Sequence, residues 1–68
     1  MKIYFIIFDK QFFTSSEQCR FWLSANPNEI FGRVVDMNHY YKYSTSEITS
    51  KDKLKKLKVG RGIYYLYN

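Results

Sequence analysis

The sequence predicts a small α+β domain, and three observations carry that reading. An apolar run rich in aromatic and β-branched residues opens the chain (Ile3 to Phe8). A capping signal and an apolar i, i+3, i+4 stripe follow (Ser15 to Leu23), and aromatic-rich alternating segments occupy 39–43 and 63–67. Sixty-eight residues leave room for one domain, 1–68. A chain of this length buries only about 60% of its unfolded surface, so its margin of stability is narrow.

Residues 2–8, KIYFIIF, form a nearly continuous apolar run, the pattern of a strand covered on both faces and central in its sheet. Asp9-Lys10-Gln11 reads as a turn. Thr14 with Glu17, and equally Ser15 with Gln18, have capping-box spacing, and Cys19, Trp22 and Leu23 share one helical face, so a helix is predicted over 15–25. It ends before Pro27, because the residue preceding proline, Asn26, is pushed out of the α region. A second strand is read at 29–36, with Gly32 a candidate bulge. A turn at Asp36-Met37-Asn38 leads to a third strand, HYYKY at 39–43, unless one bent strand runs through 43. Ser50 is a good N-cap for a second helix over about 51–58, with Leu54 and Leu57 on one face and Gly60 as its C-cap. The chain closes on GIYYLYN, a strand in which Ile63, Tyr65 and Tyr67 alternate with Tyr64 and Leu66.

The predicted order is therefore β-α-β-β-α-β, which resembles the ferredoxin-like split βαβ arrangement: first and third strands central, one sheet face open. The alternative is a three-stranded antiparallel sheet with one or two helices.

Charge is the second informative feature. Residues 1–50 hold five basic and five acidic residues, whereas 51–68 hold Lys51, Lys53, Lys55, Lys56, Lys58 and Arg61 against Asp52 alone. The whole net charge of +5 thus lies in the last third, where it makes a local field that attracts anions. Phe, Tyr, Met, Ile, Asn and Lys, all with AT-rich codons, fill 33 positions, against eight for Gly, Ala, Arg and Pro. That bias suggests a low-GC bacterium or a phage, and an accessory protein.

Several classes are set aside. One cysteine, Cys19, forms no internal disulfide, and with the single histidine, His39, it falls short of a zinc ligand set; no metal or cofactor is expected. The apolar start is broken by Asp9 and Lys10, too early for a signal h-region or a membrane span, so a cytoplasmic protein is expected. His39 has no orienting carboxylate or nucleophile marked beside it, and phosphate-cradling glycine loops are absent, so catalysis is not expected.

The candidate binding residues are Lys51, Lys53, Lys55, Lys56, Lys58 and Arg61 for phosphates, and Tyr40, Tyr41 and Tyr43 for stacking on unpaired bases. IYFIIF and HYYKY resemble, in residue type, the paired aromatic signatures of RNA-recognition-motif proteins. The glycines of the longer signature are missing, and family membership does not follow. Gly62-Ile63-Tyr64 is similar to the first half of the GIY-YIG nuclease signature, whose second motif, arginine and glutamate do not follow here.

The expectation is a non-enzymatic nucleic-acid-binding module of weak sequence specificity that prefers RNA or single strands. A different class is a phage-type inhibitor or adaptor that blocks a host nuclease or defence toxin through the basic segment or through bound RNA. A third is a structural homodimer formed through an edge strand, the terminal strand 63–67 being one candidate; exposed Phe12, Phe13 or Trp22 would serve protein contacts.

Overall fold

The computed structural model describes residues 3–25, 33–44 and 54–68. Among the described residues it is a small α+β arrangement of one short helix on a five-stranded antiparallel sheet: β1 (Ile3–Asp9), α1 (Ser16–Ala25), β2 (Arg33–Asp36), β3 (Tyr40–Ser44), β4 (Lys55–Gly60) and β5 (Ile63–Tyr67). The sheet order is β2-β3-β1-β5-β4, so the apolar β1 is the middle strand, as its composition predicts.

The ferredoxin-like arrangement is not what forms, since strand number and order both differ. The source of the difference is the segment read as a second helix. Residues 55–60 are a strand paired antiparallel with β5, Lys56 opposite Leu66 and Lys58 opposite Tyr64. A helix there would set Lys55 and Lys58 on one face with Lys51, and like charges three or four apart oppose it. Two leucines offered too little apolar area to offset that repulsion. The hairpin has a stronger local signal. Arg61 and Gly62 form a two-residue connection, and Gly62 adopts a positive φ of 72° that an L side chain rarely takes. A Cβ at Gly62 would also lie 2.5 Å from the Phe12 ring, so the close approach requires glycine twice over.

The helix forms as its caps indicate. Of the two capping spacings, Ser15 and Gln18 are the pair in use: the Ser15 hydroxyl accepts from the Gln18 N–H at 3.4 Å, while the Gln18 carboxamide accepts from the Thr14 N–H at 2.8 Å. Cys19 is fully buried, and Trp22 and Leu23 complete the stripe against the sheet. The helix terminus at Asn26-Pro27, the start of the second strand at 29–32 and the cap at Ser50 lie outside the described residues.

The core lies between α1 and one face of the sheet. Phe8 is completely buried, with the rings of Phe13, Tyr43 and Trp22 edge-on to it at 5.0, 5.5 and 5.8 Å. Ile6, Tyr41 and Ile63 fill the space around it. Phe13 joins this core while Phe12 stays half exposed against the β4–β5 turn, which divides the two loop phenylalanines between packing and surface. No helix among the described residues is long and apolar enough to cross a membrane.

Candidate functional site

Strand alternation and register sort the side chains onto two faces. On the helix face stand Ile6, Phe8, Tyr41, Tyr43, Ile63 and Tyr65. On the other stand Phe5 and Ile7 of β1, Tyr40 and Lys42 of β3, Tyr64 and Leu66 of β5, and Lys56 and Lys58 of β4. No described element packs over this second face. Its β1, β3 and β5 residues are half-buried.

Two lysines lie on two of its rings. The Lys42 ammonium stands 4.7 Å from the centre of the Phe5 ring, and that of Lys56 stands 4.4 Å from the centre of Tyr64. No described carboxylate pairs with Lys42, Lys56 or Lys58. Asp36 is engaged by Lys10, Glu17 lies on α1, across the sheet, and Asp9, on the same face at the end of β1, accepts from the Gln11 N–H. Three cations and three aromatic rings therefore share one uncovered surface.

At the end of β1 this surface deepens into a shallow groove of about 660 Å³. Asp9, Gln11, Asn38 and His39 supply its polar groups, Ile7, Tyr40, Tyr64 and Leu66 its apolar and aromatic ones, and Lys10 and Lys56 also line it. Backbone hydrogen bonds fix that end, from the Asp9 N–H to the Gly62 carbonyl at 2.8 Å and from the Lys10 N–H to the His39 carbonyl at 3.0 Å.

The residues selected from sequence divide accordingly. Tyr40 is on the uncovered face. Tyr41 and Tyr43 are not available for stacking: they are buried, and their hydroxyls donate to the Thr14 and Ser16 carbonyls at 3.4 and 3.2 Å, tying the sheet to the start of α1. Burial pushes the Tyr43 hydroxyl above its ordinary pKa. Among the lysines, Lys56 and Lys58 reach the uncovered face, and Lys55, opposite Tyr67 in the register, falls on the other side. Arg61 sits in the β4–β5 turn with its guanidinium 5.9 Å from the Phe12 ring centre. Lys51 and Lys53 lie outside the described residues. The basic run is thus not one continuous patch: a strand distributes it to two sides and a turn.

Sequence reasoning missed Phe5, Lys42 and Tyr64 as members of the surface. The alternation of Tyr64 with Tyr65 marks them as facing opposite ways, and pairing with β1 decides which is uncovered. The terminal strand is not an edge either, since β5 is enclosed by β1 and β4; the sheet edges are β2 and β4. Among the described residues, no three of His, Cys, Asp and Glu gather where they could hold a metal ion. Comparison with protein-family models, curated proteins and solved structures found no match.

Proposed function

We propose that this chain is a non-enzymatic binding module whose uncovered sheet face takes single-stranded nucleic acid, RNA in preference. The observation that supports the reading is the coincidence on one face of three lysines that pair with no described carboxylate, Lys42, Lys56 and Lys58, with three half-buried rings, Phe5, Tyr40 and Tyr64. Base stacking on such rings is sequence-tolerant, because every base has a π-face, and lysines beside them neutralise the connecting phosphates. Tyr40 and Tyr64 stand on β3 and β5 with β1 between and two residues of offset, roughly 12 Å apart from standard strand geometry. That span suits neighbouring unstacked bases and not a stacked duplex. Gln11, Asn38 and His39 at the groove end offer donors and acceptors to a 2′-hydroxyl.

The test is an anisotropy titration with a labelled single-stranded RNA, its DNA counterpart and the duplex RNA. Single strands are expected to bind at least about tenfold more tightly than duplex, since stacking of one base contributes about 1–3 kcal/mol. Equal affinity for duplex and single strand would refute the stacking surface.

A second reading, a protein adaptor or inhibitor of a host enzyme, draws on a different observation. Phe21 is 65% exposed on the outer side of α1, above a shallow depression lined by Phe13 and Trp22. A pull-down from lysate with and without nuclease separates the two. A stoichiometric protein that survives nuclease and is lost in Phe21→Ser supports the adaptor; partners that vanish with nuclease support the nucleic-acid surface.

A further inference from the structure

Resting on the nucleic-acid reading, we infer that Asp9 is a base-reading residue and that the groove end prefers guanine. Asp9 belongs to the uncovered face by its place in β1, directly across from Tyr40 in the register. It is half-buried and lines the groove. Its position is fixed on all sides. The main-chain N–H donates to Gly62, the main-chain carbonyl accepts from both Phe12 and Phe13 at 3.0 Å, and Oδ1 accepts from the Gln11 N–H at 2.8 Å. The second carboxylate oxygen has no hydrogen-bond partner among the described residues, and no described cation pairs with the group. The nearest candidate in sequence, Lys10, is committed to Asp36 and to the face of Tyr41.

A fixed carboxylate on a surface that binds a polyanion needs a physical reason. It repels phosphates and accepts only from donors, a ribose hydroxyl or a base edge carrying N–H groups, and stacking on Tyr40 selects the base edge. A base stacked on Tyr40 brings its edge to the neighbouring position on β1, which is Asp9. Guanine offers two adjacent donors, N1–H and the N2 amino group, matched to the two oxygens of one carboxylate. Adenine and cytosine offer a single amino group, and uracil a single imino N–H. The order expected is guanine first, adenine and cytosine next, uracil last. A bidentate base contact against a single one gives an expected preference of about tenfold for guanine over uracil.

The experiment uses uridine octamers with one central position changed to guanosine, adenosine, cytidine or inosine, measured by anisotropy against the full chain. The guanosine octamer is expected to bind about tenfold more tightly than the uridine one. Inosine, which keeps N1–H and lacks the N2 amino group, is expected to lose several-fold of that gain without any change to the protein. In Asp9→Asn the amide oxygen still accepts from Gln11, so the turn survives. Guanine preference should fall below about twofold while uridine binding holds or tightens, because a negative charge has been removed. Octamers that bind with no base preference, inosine equal to guanosine, or preference intact in Asp9→Asn would each overturn the inference while leaving the surface reading in place. Failure of every octamer to bind would overturn both.

Discussion

Lys55 and Lys56 are neighbours in sequence and on opposite sides of β4, so they give the most direct test of the surface. For single strands, the logarithm of affinity falls with the logarithm of salt with a slope of about −0.7 per phosphate neutralised. Lys42, Lys56 and Lys58 on the uncovered face give a slope of about −2, a loss of roughly twentyfold between about 50 and 200 mM salt. A basic segment acting as a whole, all six cations from Lys51 to Arg61, would give a slope of about −4 and a loss of several hundredfold. The two cases differ by more than any ordinary error of a titration. Lys56→Gln is expected to bring the slope to about −1.4, and Lys55→Gln to leave it unchanged, in anisotropy titrations at five salt concentrations. Equal slope changes in the two variants would refute the assignment of binding to one face. A slope near −4 would show that the charge acts as a diffuse tail.

The remaining expectations concern stability and its separation from binding. Tyr40→Ala should weaken single-strand affinity by about tenfold or more with little change in melting temperature, whereas Tyr43→Phe should leave affinity intact and cost about 1 kcal/mol by removing the hydrogen bond to Ser16. Gly62→Ala forces a left-handed conformation and displaces Phe12, for a cost of about 2 kcal/mol and a fall in Tm on the order of 10 °C. Gly60→Ala, where a Cβ would meet Ile63 at 3.3 Å and no positive φ is involved, should cost less than half as much by the same melt. Burial raises the Cys19 thiol from its ordinary 9.0 to about 11. The folded chain therefore holds that proton where the unfolded chain releases it. The associated stability is complete below pH 9, lost as pH rises toward 11, and at most about 3 kcal/mol at about 1.4 per unit. Thermal melts of wild type against Cys19→Ala should diverge below pH 9 and converge above it.

The parts of the fold legible in sequence are those whose signal is local. The apolar run of β1 declares a middle strand, and the Ser15–Gln18 spacing places the start of α1 within a residue. β4 was not legible as a strand because LKKLKV, residues 54–59, satisfies two periods at once: leucines three apart for a helix, alternation for a strand. What decides is the partner. IYYLY supplies an antiparallel mate across a two-residue connection, paired from Lys55–Tyr67 to Gly60–Ile63 with one irregularity after Lys58. The residues proposed for stacking were half legible for a similar reason. Alternation in HYYKY separates Tyr40 and Lys42 from Tyr41 and Tyr43, yet both sets are aromatic and either could face the core. The choice is made by hydroxyl groups reaching carbonyls 27 residues away at the start of α1, a tertiary fact that local pattern does not contain.

A competing account of the lysines is that they protect a sheet edge. β4 is an edge strand with Lys55, Lys56 and Lys58 exposed, and charges on an edge discourage strand pairing between molecules. That account explains β4 well and needs no ligand. It does not reach Lys42. β3 is enclosed by β2 and β1, so a cation there protects no edge, and its position over Phe5 spends a charged side chain on the middle of an apolar face. Edge protection also takes no interest in which side of the strand a lysine occupies, whereas a binding face does. Lys42→Ala therefore separates the accounts: under edge protection alone it changes neither self-association nor nucleic-acid affinity. Under the binding reading it lowers single-strand affinity severalfold and makes the salt slope shallower by about 0.7, as Lys56→Gln does from the other side of the same face.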